Sequence, residues 1–378
     1  WEMSLDNLRA RQVTSSFEAC TDPAYLPDGR IVFTAIHSET SDQDNNQPSG
    51  AALYTCALDG LAIERITFHP EPDFAPTLLS DGRLLFVSSK SNASGSTAVL
   101  FAMRYDGSGL ELIYESQGTR QPTGRAWVTA DRQVVFIESH RMDIQLDESS
   151  GKNARGGRLV SIALKRPLHS RVEFAPAIEG EFHSVFPLQS GQFLVSYRPP
   201  DDERFGLYTF DPAEGKPGKV ISKIAGYHAV EPVLAMAHSR PKSFVSLVDK
   251  QKKSATVYCL NANLSDLPVV NATAGGKRVR VSGMSGTLGE APLEEDGSFY
   301  IEVPADTPLR FSTIGENGEI VRGPSAWIWL RPNKQRGCIG CHESRELAPE
   351  NRVPIAVRKP PVSLLPKESS LAVAKNAK

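Results

Sequence analysis

The segment DPAYLPDGRIVF, residues 22–33, recurs as FAPTLLSDGRLLF at residues 74–86. Weaker copies follow at residues 127–136, 185–195 and 232–248. In the first two copies a short strand enters an Asp-Gly turn and a buried apolar strand leaves it, a pattern typical of a tight β-hairpin. The turns at positions 28, 81, 131 and 190 are 53, 50 and 59 residues apart. The chain therefore contains a repeat of about fifty residues.

Each repeat continues with an alternating strand, at residues 52–58, 99–103, 158–162 and 206–210, and then with a second turn and a polar outer strand. Four strands per repeat of this length predict a propeller blade, and blades bury both faces of each sheet by stacking radially. Residues 1–14 predict the last two strands of a further, partial blade. We therefore predict an all-β protein whose residues 1–270 form a β-propeller of about six blades, with seven possible.

The pattern changes after Gly276, where alternating segments at residues 277–281, 293–304, 309–314 and 326–330 predict further strands. They predict a small β-sandwich-like module over residues 271–332, packed on the propeller. A segment at residues 333–358 follows, and residues 359–378 form an extended tail rich in Lys, Pro and Ser. Alone, the tail has too few apolar residues to fold, and we hypothesise that it lies along another subunit.

The sequence Cys338-Ile339-Gly340-Cys341-His342 is the attachment motif of a c-type haem. Two thiols spaced in this way form thioethers with the haem vinyl groups, and the adjacent histidine binds the iron. Chance produces the motif in roughly one in a thousand chains of this composition. A zinc half-site and a redox-active thiol pair are the alternatives, but the chain has no second CxxC or HxxxH and the context is not βαβ. We therefore predict one covalent haem c.

His342 is the predicted proximal iron ligand, and the distal ligand is predicted as His228 or His183, with an open sixth position as a further alternative. Arg331 and Arg336 flank the motif and could pair with haem propionates or lie on a solvated loop. Trp327 and Trp329 would share one face of a strand, covered by the haem, the propeller or a partner. The other candidate iron ligands are His37, His69, His140, His169, His238, Met236 and Met284.

The formal charge of −2 over 378 residues gives no reason to expect binding to nucleic acid or an anionic membrane. No apolar run is long enough to span a bilayer. The chain starts at Trp1 inside a predicted strand, so we expect a mature or trimmed chain. Bacteria attach haem c outside the cytoplasmic membrane, which predicts a periplasmic or otherwise exported bacterial protein. Disulfides are then allowed: Cys20 and Cys56 could pair or be buried singly, and pairing of Cys259 is open.

Several motifs, taken in order, resemble the family of the hydrazine synthase alpha subunit. They are the PDGR turn, HAVEP at residues 228–232, EEDGSF at 294–299, VPADTP at 303–308, and the stretch from WIW at 327–329 through RGCIGCHE at 336–343 to APENR at 348–352. The resemblance implies an exported, haem-bearing propeller subunit of a larger complex, and it does not by itself imply hydrazine synthesis. That enzyme binds one haem iron through a tyrosine four residues after the motif histidine, where this chain has Glu346, and it carries a second haem for which this chain has no further motif.

Two functions of different classes follow. The first, which we favour, is electron transfer through one covalent haem between protein subunits of a redox complex. The second is a catalytic haem subunit resembling the hydrazine synthase alpha chain, although no HExxH, GxSxG or P-loop motif is present. A structural haem in a propeller scaffold is the remaining alternative.

Overall fold

The computed structural model describes residues 1–37, 50–92, 95–140, 156–236, 239–265, 269–270, 275–340 and 351–366. The described residues are almost entirely β-strand, turn and irregular backbone, as predicted. A hairpin of β1 (Glu2–Met3) and β2 (Ala10–Arg11) precedes the first blade. No helix in the described ranges has the length and apolar character needed to cross a bilayer.

Four antiparallel sheets form propeller-like blades. Their strands, in chain order, are β3 (Ala19–Tyr25), β4 (Arg30–His37), β5 (Gly50–Ala57) and β6 (Glu64–Arg65); β7 (Phe74–Leu78), β8 (Arg83–Asn92), β9 (Gly95–Arg104) and β10 (Glu111–Glu115); β11 (Arg120–Pro122), β12 (Trp127–Val128), β13 (Gln133–His140), β14 (Arg158–Ala163) and β15 (Val172–Glu173); and β16 (Glu181–Pro187), β17 (Phe193–Arg198), β18 (Gly206–Asp211) and β19 (Lys216–Ser222). Consecutive blades contact one another through β3 and β7, β9 and β11, and β13 and β16. The described residues thus contain four blades, and the predicted count of about six is not confirmed.

The repeated turn has the predicted hairpin geometry. Gly29 has φ 85° and Gly82 has φ 90°, a region that costs glycine little because it has no Cβ. In the first turn the Asp28 carboxylate accepts hydrogen bonds from the Arg30 backbone N–H and from its Nε at 3.1 and 2.8 Å. Asp81 and Arg83 repeat both contacts. The side chains that specify the turn therefore also fix its backbone locally.

The predicted fifth repeat at residues 232–248 is wrong, since the structure has no strand in its described part. Instead this segment lies against the second blade. Phe244 stacks on Tyr105 with ring centroids 4.0 Å apart, and the Tyr105 hydroxyl donates to the Phe244 carbonyl at 2.9 Å. The Ser246 hydroxyl donates to Asp106 at 2.8 Å. The loop after β9 in the second blade thus forms the hydrogen bonds that a neighbouring strand would otherwise provide for this segment.

The second module is a β-sandwich, as predicted. Its strands are β20 (Ser254–Asn261), β21 (Arg278–Gly283), β22 (Gly286–Pro292), β23 (Phe299–Pro304), β24 (Arg310–Ile314), β25 (Ile320–Arg322), β26 (Gln335–Gly340) and β27 (Val362–Ser363), with a 3₁₀ turn at Ile355–Arg358. One sheet has the order β26-β20-β23-β27 and the other β22-β21-β24-β25. The two sheets enclose one apolar core, which includes Val257, Val281 and Ile301.

The predicted boundary at residue 270 is too late. β20 reads like a blade strand because its side chains alternate between buried and half-buried, but it pairs with β23 and β26 of the sandwich. Likewise, β26 brings the start of the predicted haem segment into the same sheet. The module therefore begins no later than Ser254, and it includes residues 335–340 of the predicted haem segment.

The start of the tail also packs on its own chain, which contradicts its predicted position along another subunit. β27 pairs in parallel with β23, and Leu364 is 7% exposed within the sandwich core. The backbone N–H of Leu364 donates to the Glu302 carbonyl at 2.8 Å. An edge of the sheet thus supplies the hydrogen bonds that hold these residues extended. Residues 367–378 lie outside the described residues.

Candidate functional site

The haem motif begins on an edge strand of the sandwich. Cys338 lies on β26, whose partner on one side is β20, and it packs partly buried against the sandwich core. Two glycines allow this close fit. A Cβ at Gly337 would come within 2.5 Å of the Tyr258 ring, and one at Gly340 within 2.2 Å of the Leu264 carbonyl oxygen. Cys341 and His342 lie outside the described residues, so their predicted roles stay predictions.

The segment just before the motif fastens the sandwich to the first two blades. Trp329 is 2% exposed, and its indole N–H donates to the Gly107 carbonyl at 3.1 Å. The ring meets His69 edge-on with centroids 4.5 Å apart. Residues 326–330 are not the predicted strand, because only Ile328 forms an isolated bridge, to Leu309. Trp327 therefore does not share a buried face with Trp329 and lies under the Arg310 guanidinium, 4.7 Å away.

Arg331 is the most buried charge in this contact. Its side chain is 3% exposed and forms ion pairs with Glu64 at 2.5 Å and Asp306 at 3.0 Å. Burial raises the pKa of Asp306 to about 6, although Arg331 acts in the opposite direction. The guanidinium also lies 5.4 Å from the Phe68 ring. The solvated-loop alternative for Arg331 is therefore wrong, and its guanidinium joins the sandwich to the first blade.

Arg336 also contacts the propeller, since its Nη1 donates to the Leu110 carbonyl at 3.1 Å. It lies on β26 two residues before Cys338 and is half-buried. Residues two apart on a strand share a face, so Arg336 and Cys338 are on the same side of the sheet. Pairing of Arg336 with a haem propionate stays a prediction that this placement favours.

A second set of polar side chains lies where the first strands of three blades converge. Asp22 on β3 pairs with Arg125, just before β12, at 3.4 Å. His183 on β16 has its Nδ1 4.0 Å from a carboxylate oxygen of Glu231. We call Asp22, Arg125, His183 and Glu231 the axial cluster. Asp22 and Glu231 have φ values of 54° and 51°, and non-glycine residues held in this region are concentrated at functional sites.

Hydrogen bonds from the fourth blade hold the segment around Glu231. The Glu231 backbone N–H donates to the Ser184 hydroxyl at 2.8 Å, and the Ser196 hydroxyl donates to the Ala229 carbonyl at 2.8 Å. Both serines are buried on strands. This explains how an irregular segment is fixed closely enough to place Glu231 beside His183.

The axial cluster contains a neutral imidazole beside a carboxyl group that retains its proton more readily than usual. Burial lowers the pKa of His183 to about 4, with smaller contributions in the same direction from the nearby His228 and Arg198. Burial raises the pKa of Glu231, against the attraction of Arg125. Within the described residues, Nδ1 of His183 makes no hydrogen bond. Such paired shifts are characteristic of sites that bind polar ligands or move protons.

The structure places both predicted distal ligands in the fourth blade region. The Phe205 backbone N–H donates to Nδ1 of His228 at 3.2 Å, and Nη1 of Arg204 lies 3.3 Å from Nε2 of the same imidazole. Binding iron through Nε2 would require His228 to give up the contact with Arg204. Arg331 and Arg336, by contrast, contact the first two blades. Assignment of His228 or His183 as distal ligand stays a prediction.

The remaining candidate iron ligands differ in burial and in their contacts. His69 is buried, with Nδ1 2.8 Å from Asp73 and 3.0 Å from the Ser88 hydroxyl, and so it is part of a packed polar contact. His140 is exposed at the end of β13, and Met284 is exposed in the turn between β21 and β22. The side chains of His37 and His238 lie outside the described residues.

Cys20 and Cys56 do not form the disulfide that the sequence allowed. Cys20 lies opposite Ala35 on β4, whereas Cys56 lies opposite Ile31 on the same strand. Four residues along a strand span about 13 Å, beyond the Cα separation of about 7 Å that a disulfide tolerates. Both cysteines line a cavity of about 230 Å³ beside the β1–β2 hairpin.

The lowered pKa of His183 predicts a pH-dependent stability. The unfolded chain takes up a proton near pH 6.5, whereas folded His183 does so only near pH 4, so the folded state loses stability as the pH falls through this interval. Relative to His183→Gln, we expect wild type to lose about 2 kcal/mol of unfolding free energy between pH 7 and pH 4.5. Urea unfolding measures this difference, with the exposed His140→Gln as control. Parallel curves for wild type and His183→Gln would contradict the assignment.

Comparison with known proteins agrees with this architecture. Residues 249–343 match the family model described as "Hydrazine synthase alpha subunit middle domain". A solved structure of hydrazine synthase from Kuenenia stuttgartiensis superposes with a TM-score of 0.74 at 20% identity, over 95% of this chain and 61% of that one. Residues 249–343 of this chain are thus a domain of the hydrazine synthase alpha subunit family.

Hydrazine synthase subunit alpha from Kuenenia stuttgartiensis is 21% identical over 467 aligned positions, which cover 90% of this chain and 56% of that protein. The chain therefore spans little more than half the length of this alpha subunit. The part that matches the family model contains β20 to β26, the contacts of Trp329 and Arg331, and the CIGCH motif. The axial cluster lies outside that part, in the propeller-like blades. The sequence analysis named His183 as a candidate iron ligand, and Glu231 lies in the HAVEP segment. Asp22 and Arg125 were missed because each is an ordinary charged residue with no motif around it.

Proposed function

We propose that this chain is an exported, haem-bearing subunit of a multi-subunit redox complex related to hydrazine synthase, and that it transfers electrons through one covalent haem c. The observation that carries the proposal is the CIGCH motif, which starts on a strand of a sandwich packed tightly on the blades. The relatives are named as a subunit of hydrazine synthase, which supports assembly with other protein subunits. Export follows from the site of haem c attachment.

The donor set fits the proposed group. Cys338 presents a partly buried thiol on an edge strand, and with Cys341 it would hold the haem through two thioethers. His342 would bind the iron, and Arg336 lies on the same side of the strand as Cys338. When bound, a haem of this type supplies a one-electron iron couple, whose potential depends on ligands, burial and hydrogen bonds.

The contacts between the sandwich and the blades favour electron transfer as the role of the haem. Trp329, Arg331 and Arg336 fix the strand of Cys338 to two blades through a buried indole hydrogen bond, buried ion pairs and a carbonyl contact. A group attached to this strand would have surroundings that reorganise little when its charge changes. Low reorganisation favours electron transfer over a site that must open for substrates.

Carbon monoxide distinguishes a relay from an open iron. We expect the reduced, purified protein to show no spectral change with carbon monoxide, because His342 and a second protein ligand would both bind the iron. His228→Gln and His183→Gln test the distal position, since loss of the true ligand makes the iron bind carbon monoxide, and His140→Gln is the matched control. Binding of carbon monoxide by wild type would contradict the relay.

A catalytic role is the second candidate, and the axial cluster favours it. A neutral His183 beside a Glu231 whose pKa is raised by burial can accept and return a proton, and the Arg125 guanidinium can hold an anionic group. If the chain is catalytic, we expect wild type to bind carbon monoxide at an open iron position. We also expect Glu231→Gln to lose catalytic turnover. A purely structural haem, by contrast, would resist reduction by one-electron donors.

A further inference from the structure

A third thiol lies beside the first cysteine of the haem motif. In the parallel pair of β20 and β26, Cys259 and Cys338 are register partners. The two residues are 79 positions apart in the sequence, so only the fold brings them together. On the other side of Cys259, its partner is Phe299 of β23.

Both cysteines face the same core. Buried residues alternate along β20 at Ala255, Val257 and Cys259, and Cys259 is 1% exposed. Cys338 packs against the same apolar core. Neighbouring strands are about 4.8 Å apart, which lies within the range of about 4.4–6.8 Å between Cα atoms that disulfides adopt. Because β26 is paired on one side only in the described part of the sandwich, it can adjust to the bond.

The two thiols differ in accessibility in the way that thiol–disulfide exchange requires. Cys338 is half-buried on the edge strand, whereas Cys259 is enclosed between two strands. An external disulfide therefore reaches Cys338 first. A mixed disulfide at Cys338 would then stand next to Cys259, which is placed to displace the external thiol.

We propose that Cys259 and Cys338 form a reversible disulfide in the haem-free chain. A low-molecular-weight disulfide is the oxidant. The two protein thiols lose two electrons and two protons, one sulfur–sulfur bond forms, and the external disulfide is reduced to two thiols. Resting on the proposed haem function, the consequence is that oxidation withdraws Cys338 from haem attachment, so a dithiol reductant must act on this pair first.

Peptide mapping tests the bond directly. The full chain, produced without haem attachment, is incubated with oxidised glutathione, alkylated with N-ethylmaleimide and digested without reductant. We expect a linked pair of peptides containing Cys259 and Cys338, and alkylation of Cys338 at least about tenfold slower than in the reduced chain. Dithiothreitol should restore the original rate.

The variants separate this pair from the alternatives. Cys259→Ala should remove the linked peptides, and the matched variant Cys56→Ala, also of a buried cysteine, should retain them. Cys341→Ser should retain the link, because Cys341 takes no part in it. If Cys259→Ala does not fold, the peptide maps of wild type and of Cys341→Ser still decide whether Cys259 and Cys338 are linked. A link of Cys338 to Cys341 alone, or full alkylation of both Cys259 and Cys338, overturns the proposal. The assay contains no haem, so its outcome is independent of whether the mature chain carries one.

Discussion

Replacing both Cys338 and Cys341 with serine is expected to abolish covalent haem attachment, because each thioether requires one of these two sulfurs. The single variants should retain one thioether at most, with haem yield reduced about tenfold or more. Haem-dependent peroxidase staining after denaturing electrophoresis measures the effect, with the chain produced alongside a haem c attachment system.

Cys20→Ser is the matched control, since Cys20 lies on β3 of the first blade and outside the motif. It should stain as strongly as wild type. Staining of the double variant at the wild-type level would show that the haem is attached elsewhere, and equal loss in Cys20→Ser would point to misfolding and not to missing thioethers.

The second large effect is expected at Arg331. Arg331→Met removes the guanidinium from between Glu64 and Asp306, and two carboxyl groups then face each other without their shared partner. Removing one partner of a buried ion pair leaves an uncompensated charge, so we expect a loss of about 3 kcal/mol in unfolding free energy at pH 7.5. Urea unfolding followed by tryptophan fluorescence reports on the same contact through Trp329.

The pH dependence of this variant has a defined sign. Burial raises the pKa of Asp306 to about 6 in wild type although Arg331 opposes the rise. Without Arg331 the carboxyl takes up its proton at a higher pH, so the defect of Arg331→Met should shrink as the pH falls towards 6. Arg83→Met is the control, because Arg83 pairs with Asp81 and Glu111 in exposed positions and should cost less than about 1 kcal/mol. Equal losses in the two variants would contradict the buried contact.

Local signals in the sequence predicted the parts of the fold that local contacts determine. The Asp28–Gly29 turn is specified by its own side-chain hydrogen bonds and by a positive φ, so its repeats revealed the blades. The alternating segments after residue 276 likewise predicted the sandwich. Errors arose where long-range pairing decides: β20 resembles a blade strand, and only its partners β23 and β26 assign it to the sandwich.

The two parts of the candidate site differ in the same way. The haem motif is contiguous, so its chemistry can be predicted without a fold. Asp22 and Arg125 are about a hundred residues apart and meet only because the first and third blades converge. Cys259 could not be assigned either, since its register with Cys338 depends on a parallel pairing that the sequence does not reveal. The burial of Arg331 depends in turn on Glu64 in the first blade.

The most direct test of the haem-bearing subunit is the intact mass of the wild-type chain, produced with a haem c attachment system and measured under denaturing conditions. The account predicts the mass of the polypeptide plus one haem, which survives denaturation and acid extraction because the bonds are covalent. The mass of the bare polypeptide, or of the polypeptide with zinc in the native state and no haem, would contradict it.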